Sequence, residues 1–213
     1  MPNARALLNG WPLLGVLSLA LVAMAAAIVL GHRLYIDGIR MAIRATARTS
    51  FVLFALAFSA SALFALWPNA WTGWQRRNRR YLGLSFAVSH AVHAAAIVAF
   101  AQLDPVQFHL QSNTGTIISG GIAYGFIAAL ALTSFDRTAA WLGPRAWRVL
   151  HWVGGYYIWI SFIVTNGKRI GVSPFYAVPV AVMLVVLVLR LVAWRRAAAR
   201  RGKPAALAPS TAG

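Results

Sequence analysis

The stretch WPLLGVLSLALVAMAAAIVL, residues 11–30, carries no charged side chain over twenty consecutive positions. As a helix it covers about 30 Å, the thickness of a hydrocarbon core. Secretory signal sequences use apolar runs of about 7–15 residues, so this longer run predicts an uncleaved first span despite Arg5 ahead of it. Outward from it, five more apolar runs fall near residues 50–67, 82–101, 115–132, 148–166 and 174–194. The second and fourth are the shortest, and the fifth is interrupted by Gly, Tyr and Trp. The expected fold class is an all-α integral membrane bundle of six transmembrane helices. One domain covers residues 1–194, and residues 195–213 form a disordered basic tail.

Composition agrees with that class. Of 213 residues, 60% are hydrophobic and 11% charged, with a mean hydropathy of +0.68. A soluble domain carries about a quarter charged residues. Twenty Lys and Arg face three acids, Asp37, Asp104 and Asp136, for a net charge of +17. The basic residues sit between the apolar runs, as in loops that face anionic lipid, so membrane lipid rather than nucleic acid is the expected partner. The absence of cysteine excludes disulfides, thiolate catalysis and iron–sulfur ligation.

Orientation follows from the Lys and Arg of the short loops. With six spans both ends lie on one side, together with Arg5, Arg76, Arg77, Arg79, Arg80, Arg137, Arg145, Arg148, Arg190, Arg195, Arg196, Arg200, Arg201 and Lys203, fourteen in all. The other side holds six: Arg33, Arg40, Arg44, Arg48, Lys168 and Arg169. Both termini are therefore expected in the cytoplasm. The 31–49 connection opposes this with four arginines, and its apolar spacing predicts an amphipathic helix on the outer surface. The small residues Thr116, Gly120, Gly121 and Gly125 of the fourth span suit close helix packing.

Chemistry rests on the five histidines. His32 and His109 lie at outer ends of spans and read as wet interfacial residues. His90 and His93 lie within the third span and His151 a turn inside the fifth, where an ionisable side chain is costly and points to function. Zinc lacks an intramembrane Cys, Asp or Glu to complete its set, and a proton relay would add carboxylates that the spans lack. Haem needs one or two imidazoles, a flat apolar slot and cations near its propionates. Ser89, Ala91, Ala94, Ala95 and Ala96 keep the third span's surface low. Gly154 and Gly155 share the face of His151, and Arg79, Arg80, Arg145 and Arg148 mark the near interface. On the residues alone, a haem slot and structural histidines in a non-redox transporter or assembly partner stand as equal alternatives.

The fragments Arg79-Arg80-Tyr81-Leu82-Gly83-Leu84 with His93 ten residues beyond Gly83, Trp147-Arg148-Val149-Leu150-His151-Trp152, and Leu132-Thr133-Ser134-Phe135-Asp136 resemble the ferric reductase-like transmembrane family, including its MsrQ-like bacterial branch. The resemblance spans roughly residues 45–170. It implies haem b held by third- and fifth-span histidines, one haem with a second left open, in a multi-pass protein of a bacterial inner membrane. The implied activity is that of an oxidoreductase membrane subunit passing electrons to an outer-side acceptor. Departures are equally clear. The family's second fifth-span histidine falls at Val164, and fourteen residues before His93 stands Arg79. No flavin or nicotinamide domain follows the spans, so a separate flavoprotein or a quinol would be the donor. Taking the spans to begin near Tyr81 and Trp147, His90 lies about 13 Å deep, His93 about 18 Å and His151 about 6 Å. Depth thus pairs His151 with His90, whereas the resemblance favours His93, and both pairings remain open.

Overall fold

A computed structural model describes residues 7–201. Among them are nine α-helices and no strand: α1 (Gly10–Leu30), α2 (Tyr35–Leu66), α3 (Ala70–Arg77), α4 (Arg79–Leu103), α5 (Pro105–Gln111), α6 (Thr114–Leu132), α7 (Asp136–Leu142), α8 (Pro144–Gly167) and α9 (Ala177–Arg201). A 3₁₀ turn at Pro174–Tyr176 leads into α9. Five segments are long and apolar enough to cross a membrane: α1, α2, α4, α6 and the run Pro174–Arg201. This is the composition of a multi-pass membrane protein. The expected fifth span corresponds to α8, whose 24 residues reach about 36 Å but include Arg145, Arg148, His151 and Asn166.

The sequence itself punctuates the helices. Pro68 follows the last residue of α2's cap, and Pro105 and Pro144 occupy first-turn positions where no amide donor is needed. Gly143 ends α7 at φ +77°, a backbone region open mainly to glycine. Asn69 and Thr72 cap α3 reciprocally, each side chain accepting from the other's amide.

Helices α2 and α4 form the antiparallel centre. Their register is read from Arg79 on Ser61 (2.8 Å), Phe86 against Phe54 (5.4 Å between ring centroids), Ser50 on Ser89 (2.9 Å), His93 on Thr46 (3.0 Å) and Arg40 over Phe100 (5.8 Å). Small polar side chains line this interface: Thr46, Ser50, Ser85 and Ser89 are fully buried. They allow close backbone approach, and Thr46, Ser50 and Ser89 hydrogen-bond across it, the usual means of helix association where apolar burial gives no drive. Around this pair pack α1, α8 and α9, closing a core of Leu21, Leu53, Phe54, Leu82, Phe86, Ile127, Ile158 and Met183. Asn78 accepts from the Gly10 amide and donates to Asn9, and the Trp74 indole donates to the Leu8 carbonyl, so α1 is tied to the α3–α4 corner.

Two expectations change. The 31–49 connection is not a separate surface helix. From Tyr35 it is continuous with the second span, and Gly38, Ile39, Ala42 and Thr46 are buried in the bundle. Its arginines follow an i, i+4 rhythm that reads as amphipathic either way, and only the packing of the opposite face distinguishes the two arrangements. Residues 195–201, expected as disordered tail, continue α9 to Arg201. Arg5, Lys203 and residues 202–213 lie outside the described residues.

Candidate functional site

A cavity of about 520 Å³ opens between α2, α4, α6, α8 and α9 at the Arg79 end of the bundle. It gathers Arg79, Arg80, Arg148, His151 and Gly155 from the expected site. It adds Gly83, Ala87 and Arg190, which the sequence reading had not assigned to it. A Cβ placed at Gly83 would meet no atom within 4 Å, so this glycine leaves the wall of α4 open. At Gly155 a Cβ would come within 3.3 Å of Phe58. Gly154 serves packing instead, since a Cβ there would fall 3.0 Å from Phe126 and 3.2 Å from Leu130. The cavity meets α4 at Gly83, Phe86 and Ala87, a turn or more nearer the Arg79 end than the low surface expected at Ala91, Ala94, Ala95 and Ala96.

Four guanidinium groups face the cavity against one carboxylate. Asp136 pairs with Arg80 at 2.9 Å, which leaves the wall strongly cationic. The Arg80 Nε is buried without a partner among the described residues. Arg190 is the residue the sequence hid best, because it was counted among tail cations. Its side chain turns inward: Nη1 donates to the Phe58 carbonyl (2.7 Å), Nε to the Tyr156 hydroxyl (3.3 Å), and the guanidinium lies 4.0 Å from the Phe58 ring centroid. The available signal was a single charge inside the apolar run of 174–194, a position that marks function by default.

His151 stacks on Trp147 with centroids 4.1 Å apart, and its Nε2 lies 3.1 Å from the Thr133 hydroxyl. That hydroxyl already donates to the Ala129 carbonyl (2.7 Å), so it accepts from Nε2–H and leaves the Nδ1 lone pair free. His93 has the opposite tautomer. Its Nδ1 lies 3.0 Å from the Ile43 carbonyl, which can only accept, so Nδ1 carries the proton and Nε2 keeps its lone pair. A backbone carbonyl holding one ring nitrogen is how proteins orient a ligating imidazole.

His90 makes no hydrogen bond among the described residues, and its Nδ1 is buried. It lies among Phe86 (5.1 Å), Tyr124 (5.2 Å), His93 (5.3 Å) and Phe162 (6.3 Å). The Tyr124 hydroxyl is also buried and unpartnered among these residues. His90 and His93 do not line the cavity: Phe86 does, and it stands between the cavity and His90. No group of three or more His, Cys, Asp or Glu suited to a metal ion occurs among the described residues. His32 and His109 sit at the opposite end of the bundle, His32 on the Ile28 carbonyl and His109 edge-on to Phe108. Compared with known proteins, the chain matches no family model, no curated protein and no solved structure.

Proposed function

We propose that this chain is a haem b membrane electron-transfer protein of the ferric reductase-like type, with six spans and both ends in the cytoplasm of a bacterial cell. The observation that carries the reading is the cationic cavity beside His151. Its volume of about 520 Å³ lies in the range of about 300–1,000 Å³ typical of cofactor sites. Phe54, Phe58, Ile127, Leu130 and Ile158 line it with apolar surface, and Gly83 and Ala87 leave one wall flat. Arg79, Arg80, Arg148 and Arg190 suit a dianionic edge, and the unpartnered Arg80 Nε supplies a donor awaiting an acceptor. These residues fit a porphyrin with two propionates.

An imidazole-held haem supplies a one-electron carrier whose potential the protein tunes through ligation, burial and hydrogen bonding. His151 provides the imidazole at the cavity, and Trp147 fixes its ring plane by stacking. Thr133 accepts from Nε2–H, which orients the ring and leaves Nδ1 as the nitrogen it would present. His93, oriented by Ile43 and Thr46, provides a second imidazole toward the other end of α4. The aromatic rings of Phe54, Phe86 and Phe162 exclude water between the two levels. With α8 counted as a sixth span, twelve basic residues among those described fall at the Arg79 end and six at the other, so the Arg79 end faces the cytoplasm. A flavoprotein or a quinol would donate there, and the acceptor would dock outside.

A pyridine haemochrome assay on protein purified from haem-replete cells tests this directly. A haem b spectrum, with a low-spin Soret and α-band in the native protein, is expected. Colourless but folded protein would overturn the reading and return the histidines to a structural role, which the Thr46 and Thr133 contacts would suit.

A further inference from the structure

Two arginines that the haem reading does not use stand on the lipid-facing side of α2. Arg44 and Arg48 are exposed, and one helical turn apart they share a face with exposed Met41 and Val52. Neither has a hydrogen bond, ion pair or ring contact among the described residues, where the ion pair is Arg80–Asp136 alone. The nearest carboxylate on the same face is Asp37, two turns away. Between the two arginines in sequence lies Thr46, which points the other way and holds His93.

Their depth is what calls for an explanation. Helix α1 is free of charge from Trp11 to Leu30, and its upper end meets α2 at Gly38, where a Cβ would fall 2.9 Å from the Val29 Cα. Arg44 and Arg48 therefore lie about 9 and 15 Å below that contact, beside apolar helix. A guanidinium left there without a counter-charge is costly. On the α9 side the bundle is shorter. Arg190 on the Phe58 carbonyl sets α9 parallel to α2, and counting back thirteen residues on each brings Ala177, the start of α9, level with Ala45. The α8–α9 turn with Lys168 and Arg169 thus lies near the level of Arg44 and Arg48, which brings polar, basic chain to that level.

We propose that Arg44 and Arg48 together bind the phosphodiester of an anionic phospholipid, whose acyl chains run down past Val52. Two guanidinium forks one turn apart match one phosphate geometrically, and paired arginines favour phosphate where lysines would act as point charges. This site depends on the chain lying in a membrane and not on haem.

The test is native mass spectrometry of the full chain released from nanodiscs containing phosphatidylglycerol and phosphatidylcholine in equal amounts. About thirtyfold preference for retained phosphatidylglycerol is expected, from two arginines each contributing about what one basic residue does near an anionic surface. R44Q/R48Q should lower the ratio severalfold, the remaining basic residues keeping what is left. R44Q and R48Q singly should each lower it, which keeps the test decisive if the double variant fails to fold. Arg33→Gln and Lys168→Gln should leave it unchanged. No preference in the unaltered protein, or full preference in R44Q/R48Q, overturns the proposal. Displacement of the lipid by millimolar inorganic phosphate also overturns it, because the site would then take free phosphate.

Discussion

Removing His90 and His93 one at a time compares a buried ring without a partner to one held from two sides. In haem-free protein, His93→Ala deletes the Nδ1–H shared between the Ile43 carbonyl and the Thr46 hydroxyl. One donor is lost, so the cost counts once, at about 0.6–1.7 kcal/mol for a side-chain hydrogen bond inside a membrane. Both acceptors keep other bonds, since Thr46 also donates to the Ala42 carbonyl at 2.7 Å. His90→Ala deletes no hydrogen bond and removes a buried unsatisfied nitrogen, worth about 1–3 kcal/mol in relief. Against that stand its ring contacts with Phe86 and Tyr124, each about 0.5–1.5 kcal/mol. The two terms nearly cancel. Thermal unfolding in mild detergent should therefore rank His93→Ala about 1–2 kcal/mol below the parent and His90→Ala within about 1 kcal/mol of it. In the haem-loaded protein the same pair is read by absorbance, and His93→Ala should lose low-spin signal while His90→Ala keeps it. A larger unfolding cost for His90→Ala would refute the assignment of His90 as the unpartnered ring. Low-spin signal lost only with His90→Ala would make depth, not the family resemblance, the guide to ligation.

The open wall at Gly83 gives a plug test. Gly83→Leu meets no atom within 4 Å at Cβ and improves helix propensity by about 0.8 kcal/mol, so thermal stability should hold or rise while haem content falls severalfold; undiminished haem content would place the cofactor elsewhere. Thr133→Val leaves His151 Nε2–H without its acceptor, which should cost about 1 kcal/mol in haem-free protein and speed haem loss by loosening the ring that presents Nδ1; haem loss as slow as in the parent would mean that Thr133 does not orient the ring. A reporter active only outside the cytoplasm should be silent when fused after Arg201 and active near Gln107, and the opposite pattern would reverse every assignment of sides.

The class of fold was legible because hydrocarbon demands long apolar helices, and such runs are visible without any knowledge of packing. Five of the six expected runs recur as helices long and apolar enough to span. What was not legible is what depends on neighbours. Arg40, Arg44 and Arg48 look the same in a surface helix and in the upper turns of a long span, and the buried Gly38–Ala42–Thr46 face decides. The short helices α3, α5 and α7 are too brief and too polar to register as periodicity, although Asn69-Ala70-Trp71-Thr72 carries a capping box in plain view. His151, Arg79, Arg80 and Arg148 line one cavity because all four lie within two turns of one bundle end. Gly154 and Gly155 could not be told apart by sequence, since adjacent residues on a helix point 100° apart toward different neighbours. Arg190 was misread through its company: surrounded by tail cations in the sequence, it is surrounded by Phe58 and Tyr156 in space.

The two histidine levels constrain how the molecule can use them. The cavity touches α4 at Gly83 and Ala87, and His93 lies ten residues beyond Gly83, about 15 Å along the axis. His151 is anchored at the cavity by Thr133 and Trp147, and His93 at the other level by Ile43 and Thr46. Phe86 fills the space between, packed against Phe54, Phe162 and His90. For His151 and His93 to hold one haem between them, the two levels would have to approach and Phe86 would have to leave the space between them. On the proposed haem reading, His151 would serve the cavity level and His93, with His90 beside it, the other. The unpaired Nδ1 of His90 and the unpaired hydroxyl of Tyr124 mark that second level as the less satisfied of the two.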